Sequence, residues 1–177
     1  MVDSRWLFTG LVALVGLERL LELWIAGRNR SRLLSQGAVE VGKDHYPWMV
    51  LLHTTFLVAA PLEVWALGRR FIPALALSMM VVLVTAMALR YWVIVTLGRR
   101  WTTRVLLLPE EPRITTGPFR LLPHPNYLAV IMEIAALPLV HTAWLTALTY
   151  SVLNAAMLRT RLGVENEAWR EGVRGSE

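Results

Sequence analysis

The chain contains no cysteine. That excludes a disulfide scaffold, a thiolate nucleophile, and zinc or iron–sulfur sites ligated by cysteine. Lysine is nearly absent too, with Lys43 standing alone against 17 arginines. Charged residues of both signs make up only 18% of 177. The four histidines, at 45, 53, 124 and 141, form no H-x-x-H-H or H-x-x-x-H box, which argues against a membrane di-iron desaturase. H-E-x-x-H, G-x-x-x-x-G-K-[ST] and G-x-S-x-G are all missing, and no G-x-G-x-x-G follows a strand. Zinc hydrolysis, P-loop phosphate chemistry, serine-elbow hydrolysis and a soluble dinucleotide fold are set aside with them. No metal site is expected.

What the chain has in quantity is apolar sequence. Hydrophobic residues reach 55%, with a mean hydropathy of +0.47. This is too apolar for disorder and too apolar for an ordinary soluble domain of this length. The net charge is +5, but most basic residues flank apolar blocks. That placement reads as membrane topology and not as a nucleic-acid face.

A helix crossing the hydrocarbon layer needs about 20 apolar residues. Trp6–Ala26, Tyr46–Leu67 and Phe71–Leu97 meet that length. Tyr127–Val140 and Trp144–Leu158 are shorter, roughly 21 to 23 Å each at the helical rise. They read as a helical hairpin joined through His141, Thr142 and Ala143, spanning with help from its flanks or reaching only part-way. The first block is too long for a signal peptide and lacks its basic n-region and A-x-A site. The expected fold is an all-α integral membrane protein of about five transmembrane helices. Residues 1–97 form the three N-terminal spans. Residues 98–177 form a long loop, the hairpin and a C-terminal cytosolic helix, as one catalytic unit. With the N-terminus outside, thirteen basic residues fall on inner segments and only Arg5, Arg69 and Arg70 on outer ones. The positive-inside rule therefore puts the C-terminus in the cytosol, and a bacterial inner membrane is the expected location.

In this orientation most of the polar residues inside the spans collect in the cytosolic halves: Glu18, Arg19 and Glu22, then His53, Arg90 and Asn154. Ionisable groups at membrane depth pair or line a cavity. Glu18 and Glu22 share a helical face at i, i+4, with Arg19 beside them. Arg90, next to Tyr91 and Trp92, either pairs or snorkels to the interface. Glu63 falls at the outer end and reads as a solvated boundary residue.

The inner stretch Gly98–Asn126 has no spanning character, and loops near 30 residues are uncommon unless functional. Pro118, Pro123 and Pro125 stiffen it, and Gly117 permits a turn that other residues resist. His124 lies between two prolines just before a helix start, where Asn126 is a plausible N-cap. Free N–H groups there suit an anionic ligand group. Past the last span, Arg161 and Glu165 stand at i, i+4 and share a face if the helix continues past Gly163.

Two segments, TTGPFRLLPHPNYLAV and LRTRLGVENEAW, resemble the loop motif GPYR-x-x-RHPxY and the C-terminal motif RIRxEE of the isoprenylcysteine carboxyl methyltransferase family. The early segment ERLLELWIAGRNRSRLLSQGAVEVGKDHYPWMVLLH resembles small bacterial members, some of which act on phenolic or pyrone lipids. The resemblance implies an integral membrane enzyme using S-adenosyl-L-methionine. It implies a cofactor site formed by His124, Pro125, Asn126 and Tyr127, by Phe119, by the strand-like stretch Glu111, Pro112, Arg113 and Ile114, and by Glu165. It also implies that Arg161 faces the acceptor. The chain departs from the motifs at Pro123, where the family has arginine, for which Arg120 is a possible substitute. It departs again at Asn166 and Gly163.

The resulting expectation is O-methylation of a lipophilic acceptor, either a phenolic or polyketide hydroxyl or a prenylcysteine-like carboxylate. An anionic oxygen attacking a cation loses charge in the transition state, so a dry, well-positioned site helps. A carboxylate needs no base, and Arg161 would orient it. For a hydroxyl, His124 or Glu165 is the candidate base. The rival readings are an NADPH-dependent membrane reductase of the sterol-reductase type and a non-catalytic membrane partner. Nucleic acid is not an expected partner.

Overall fold

The computed structural model describes residues 3–107 and 114–174, with side chains described through residue 167. Five helices carry the fold: α1 (Ser4–Ser35), α2 (Tyr46–Ala66), α3 (Pro73–Leu97), α4 (Pro125–Leu139) and α5 (Trp144–Arg174). Two three-residue strands, β1 (Val39–Val41) and β2 (Val105–Leu107), pair antiparallel with Val39 opposite Leu107. The all-α expectation holds apart from this ribbon.

Proline sets several starts. Pro73 and Pro125 stand in the first turns of α3 and α4, where their missing N–H costs nothing and their fixed φ suits the helix. The expected cap at Asn126 is displaced for this reason. The N-cap is His124, and Asn126 lies inside the first turn. His124 precedes a proline, which disfavours the helical region, and its φ is −133°.

Two helices outrun their apolar blocks. α1 continues nine residues past Ala26, through a basic stretch in which Arg28, Arg30, Arg32, Leu33 and Leu34 are good helix formers. α5 is continuous through Gly163 to Arg174, so Arg159 and Arg161 lie within it and not at its end. This places Arg161 and Glu165 on one helical face.

α4 is the innermost element. It packs between α3 and α5, with α2 against α5 and α1 against α2. α3 and α4 pack extensively on one another, and both bury small residues, Ala76 and Ala86 on α3 and Ala129 and Ala136 on α4. Small side chains let helix backbones approach closely. The main core joins Phe8, Val15, Phe56, Leu83, Ile134 and Leu137. The opposite faces are also apolar: Leu14, Leu17 and Leu20 on α1, Leu62 on α2, Leu77 and Val95 on α3 and Val152 on α5 all stand exposed.

Glu63 overturns its expected role. It is buried, and its carboxylate accepts from the Thr146 amide at 2.6 Å, the Thr146 hydroxyl at 2.7 Å and the Leu145 amide at 3.2 Å. Arg69 pairs with it at 2.6 Å. It thus caps α5 from another helix, supplying charge and acceptors to orphan N–H groups. Arg90 does not snorkel; it is buried and donates to Glu133 at 2.5 Å.

Candidate functional site

The loop–α4 junction and the part of α5 that follows its apolar stretch meet. Tyr127 donates its hydroxyl to Glu165 Oε1, and Arg161 Nε donates to the same oxygen at 3.1 Å. His124 Nδ1 lies 3.7 Å from Glu165 Oε2. The His124 and Tyr127 rings stack with centroids 5.1 Å apart and 5° between planes. The Arg161 guanidinium sits 5.6 Å over the Tyr127 ring, and its Nη1 donates to the Thr103 carbonyl at 3.1 Å. Thr103 in turn shares a hydrogen bond with Tyr46 at 3.1 Å. Three chain segments, far apart in sequence, are tied through one guanidinium and one carboxylate.

The ribbon braces this assembly from below. Arg30 of α1 pairs with Glu40 of β1 at 2.7 Å, and Arg104, beside β2, pairs with the same carboxylate. Burial works to raise the Glu40 pKa, but hydrogen bonds from Arg104 and Arg30 outweigh it and hold the carboxyl below its ordinary value. Gly42 follows β1 with φ +64°, and a Cβ there would collide with Val164 of α5. The close approach to α5 therefore needs glycine at this point.

A cavity of about 600 Å³ opens from this network. Its end nearest the network is lined by Tyr46, Met49, Thr103, Asn126, Tyr127 and Arg161. Its walls are largely apolar, from Gly16, Leu17 and Leu20 of α1 and Val50, Leu57 and Val58 of α2. Leu17, Leu20 and Val58 are about 60% exposed, so the cavity reaches the outer surface between α1 and α2.

Of the residues expected from sequence, His124, Tyr127, Arg161 and Glu165 come together, and Asn126 lines the cavity beside them. Pro125 is buried at the first helical position of α4. Phe119, on a short turn over Gly117–Arg120, packs against the buried cluster of Ala26, Val93 and Trp101. Gly117 has φ +58° and a Cβ there would meet Thr96 Oγ1 at 2.5 Å, so this turn lies tight on α3. Ile114 is half-buried. Glu111, Pro112 and Arg113 lie outside the described residues.

Sequence reasoning missed Glu133. It sits in the apolar run VIMEIAALP of α4 and is buried against Arg90. The same cluster holds Arg19 to Glu22 at 2.8 Å, Arg19 to Glu18 at 3.1 Å and Arg90 to Glu22 at 3.5 Å. A lone carboxylate in an apolar run, opposite an unexplained arginine in another span, was the available signal. Among the described residues no cluster of His, Asp and Glu suited to a metal ion occurs.

The isoprenylcysteine carboxyl methyltransferase family model matches residues 77–171. A Bacillus subtilis protein, YpbQ, described only as uncharacterized, is 32% identical over 165 residues, covering 93% of this chain and 98% of its own. An uncharacterized Haemophilus influenzae protein is 29% identical over 151 residues, 85% of this chain and 87% of its own. No solved structure matches the chain. The matched region runs from α3 through the loop and hairpin to the Arg161–Glu165 face, and with more than half its length covered the chain belongs to the isoprenylcysteine carboxyl methyltransferase family, whose membership points to a membrane methyltransferase.

Proposed function

We propose that this protein is an S-adenosyl-L-methionine-dependent O-methyltransferase that acts on a lipophilic acceptor from within the membrane. The observation that supports it most is the joining of His124 and Tyr127 to Arg161 and Glu165 at the polar end of an otherwise apolar cavity.

The donor set fits the cofactor's polarity. Glu165 offers a carboxylate to hydroxyl or ammonium groups. The Asn126 Oδ1 is buried and has no hydrogen-bond partner among the described residues, so it is an acceptor left free at the cavity end. His124, Asn126, Tyr127 and Glu165 are the residues that would hold the cofactor. When bound, S-adenosyl-L-methionine supplies a methyl group on a sulfonium, open to in-line attack by an oxygen. Arg161 is fixed from three sides, by Glu165, Thr103 and Met49. Such a pre-set guanidinium can orient an acceptor carboxylate or an ionised hydroxyl through charge-assisted bonds. His124, part-exposed and 3.7 Å from Glu165, is placed to take the proton of a hydroxyl acceptor and pass it toward the cytosol. Leu17, Leu20, Leu57 and Val58 exclude water and admit an alkyl tail sideways from the lipid.

The membrane setting rests on the exposed faces. α2 and α3 are long and apolar enough to cross, and monomeric soluble proteins rarely expose contiguous apolar patches on this scale. Trp6 and Trp24 are both exposed at opposite ends of the α1 apolar block, as are Trp48 and Trp65 on α2. Each pair is separated by about 26 Å of helix, the spacing of the two aromatic belts at a bilayer's interfaces. With Trp24 and Trp48 on the cytosolic side, the Arg161 network faces the cytosol, where the cofactor is found.

Calorimetric titration of the purified full-length protein in detergent tests the cofactor assignment. Saturable binding of S-adenosyl-L-methionine at one site is expected. A flat titration from folded protein overturns the proposal.

A further inference from the structure

The cavity has a second polar level that the Arg161 network does not use. Along α2, α4 and α5 the same step recurs: Tyr46 to His53, Asn126 to Glu133 and Asn154 to Arg161 are each seven residues apart. Two helical turns set these levels about 10 Å apart. The deeper level gathers His53, Glu133 and Asn154 with Arg19 and Glu22 of α1 and Arg90 of α3. All but Glu133 line the cavity.

This level is left incompletely bonded. Glu22, Arg90 and Asn154 are 6%, 7% and 2% exposed. Yet Glu22 Oε1, Arg90 Nε, Arg19 Nε and Asn154 Oδ1 are buried without a hydrogen-bond partner among the described residues. His53 Nδ1 lies 2.8 Å from the Met49 carbonyl. A carbonyl only accepts, so Nδ1 carries the proton and a neutral ring leaves Nε2 as a further acceptor. A purely structural ion cluster would be expected to satisfy its own members, because each buried orphan costs about 1–3 kcal/mol. Here donors and acceptors are left unpaired on residues that line one cavity.

That pairing selects a ligand group. A carboxylate would suit the arginine Nε atoms but be repelled by Glu18, Glu22 and Glu133. An ammonium would suit Glu22 and leave the donors unmet. A hydroxyl does both, accepting from arginine and donating to Glu22 Oε1 or Asn154 Oδ1. We infer that the acceptor carries a second, uncharged hydroxyl about 10 Å from the oxygen that is methylated, and that the Arg19–Glu22–Arg90–Asn154 level binds it. The inference rests on the reading of the cavity as the acceptor site, and it names the acceptor class: a lipophilic molecule with two separated hydroxyls.

The test compares two ligands of one skeleton without cofactor present. An alkylated para,para′-dihydroxybiphenyl places its two oxygens at about the required separation, and its monohydroxy counterpart lacks the inner one. Binding to the purified full-length protein in detergent is measured by calorimetry. A site built to bond a hydroxyl discriminates strongly against the analogue lacking it, so the dihydroxy ligand is expected to bind at least about tenfold more tightly. Asn154→Leu and Glu22→Gln should each erode that preference while leaving affinity for the monohydroxy ligand within about twofold. Glu22→Gln is the variant at risk of misfolding; Asn154→Leu and the wild-type comparison do not depend on it. Equal affinity of the two ligands for wild-type protein, or a preference kept in folded Asn154→Leu, overturns the inference. A parallel titration with S-adenosyl-L-methionine reads the methyltransferase proposal separately, since either result can fail without the other.

Discussion

Glu165 and Arg161 share one hydrogen bond but face different tasks, and substitution should separate them. Glu165 collects Tyr127 and Arg161 and stands near His124. Removing it frees three groups and deletes the carboxylate that would meet the cofactor. Glu165→Ala should therefore weaken S-adenosyl-L-methionine binding by about tenfold or more, the range expected for a hydrogen bond to a charged group. Arg161→Ala should leave that affinity closer to wild type and raise the acceptor KM by about tenfold. Calorimetry and steady-state assays with a lipophilic phenol check the split, and equal effects of the two variants on both constants would remove it. These two residues were legible because both lie in a short segment with a recognisable spacing. Glu133 was not. Its partner Arg90 lies 43 positions earlier, and nothing in either span's own periodicity links them. Glu63 was misread for a related reason: its partners are backbone N–H groups of α5, which a sequence does not display as a motif.

The same carboxylate makes Glu63 a test at the level of elements. It caps α5 by accepting from Leu145 and Thr146 and is neutralised by Arg69. Breaking a buried pair while leaving Arg69 in place costs about 3–5 kcal/mol. Glu63→Ala should lower the thermal midpoint in detergent by several degrees, whereas an exposed substitution such as Arg70→Ala should not. The ribbon gives a pH prediction. The folded Glu40 pKa lies below its ordinary value because Arg104 and Arg30 prevail over burial. Its stabilisation is therefore complete above the unfolded value, about 4.3. It is lost as pH falls through the lower folded value. Hydrogen exchange of the β1–β2 amides should accelerate below that range, and in Glu40→Gln it should be fast at neutral pH as well. Gly42→Ala should loosen the same ribbon without touching the charge, since its Cβ would strike Val164. Helix positions were readable from apolar runs. The ribbon was not, because three-residue strands carry no alternation and form only where α1 and the loop after α3 are brought side by side. The continuation of α5 through Gly163 was equally hidden, since one glycine costs a helix only about 1 kcal/mol and packing against α2 and α4 outweighs it.

At the scale of the whole molecule, the charge bias and the aromatic belts make one joint demand. Five crossings from an outer N-terminus would place the α1–α2 connection and the loop after α3 on the cytosolic side, and the α2–α3 and α4–α5 connections on the other. The structure is consistent with the second half of this: Thr142, in the α4–α5 turn, donates to the Arg70 carbonyl in the α2–α3 turn at 2.6 Å, so these two connections share one end of the bundle. At the other end, Asn29 of α1 donates to the Trp101 carbonyl at 2.9 Å, joining the extension of α1 to the loop. Which end faces the cytosol is set only by the basic residues, and it decides whether the Arg161 network can meet a cytosolic cofactor. The absence of native cysteine makes this directly measurable. Single substitutions Gln36→Cys and Arg120→Cys, at exposed positions in the α1–α2 connection and the loop after α3, should react with a membrane-impermeant maleimide only in inside-out vesicles. Arg70→Cys should react only in right-side-out vesicles. Labelling of Gln36→Cys and Arg70→Cys from the same side would mean that α2 does not cross. The reversed pattern would put Arg161 and Glu165 on the face opposite the cofactor, and the methyltransferase proposal would fail on topology before any kinetics were measured.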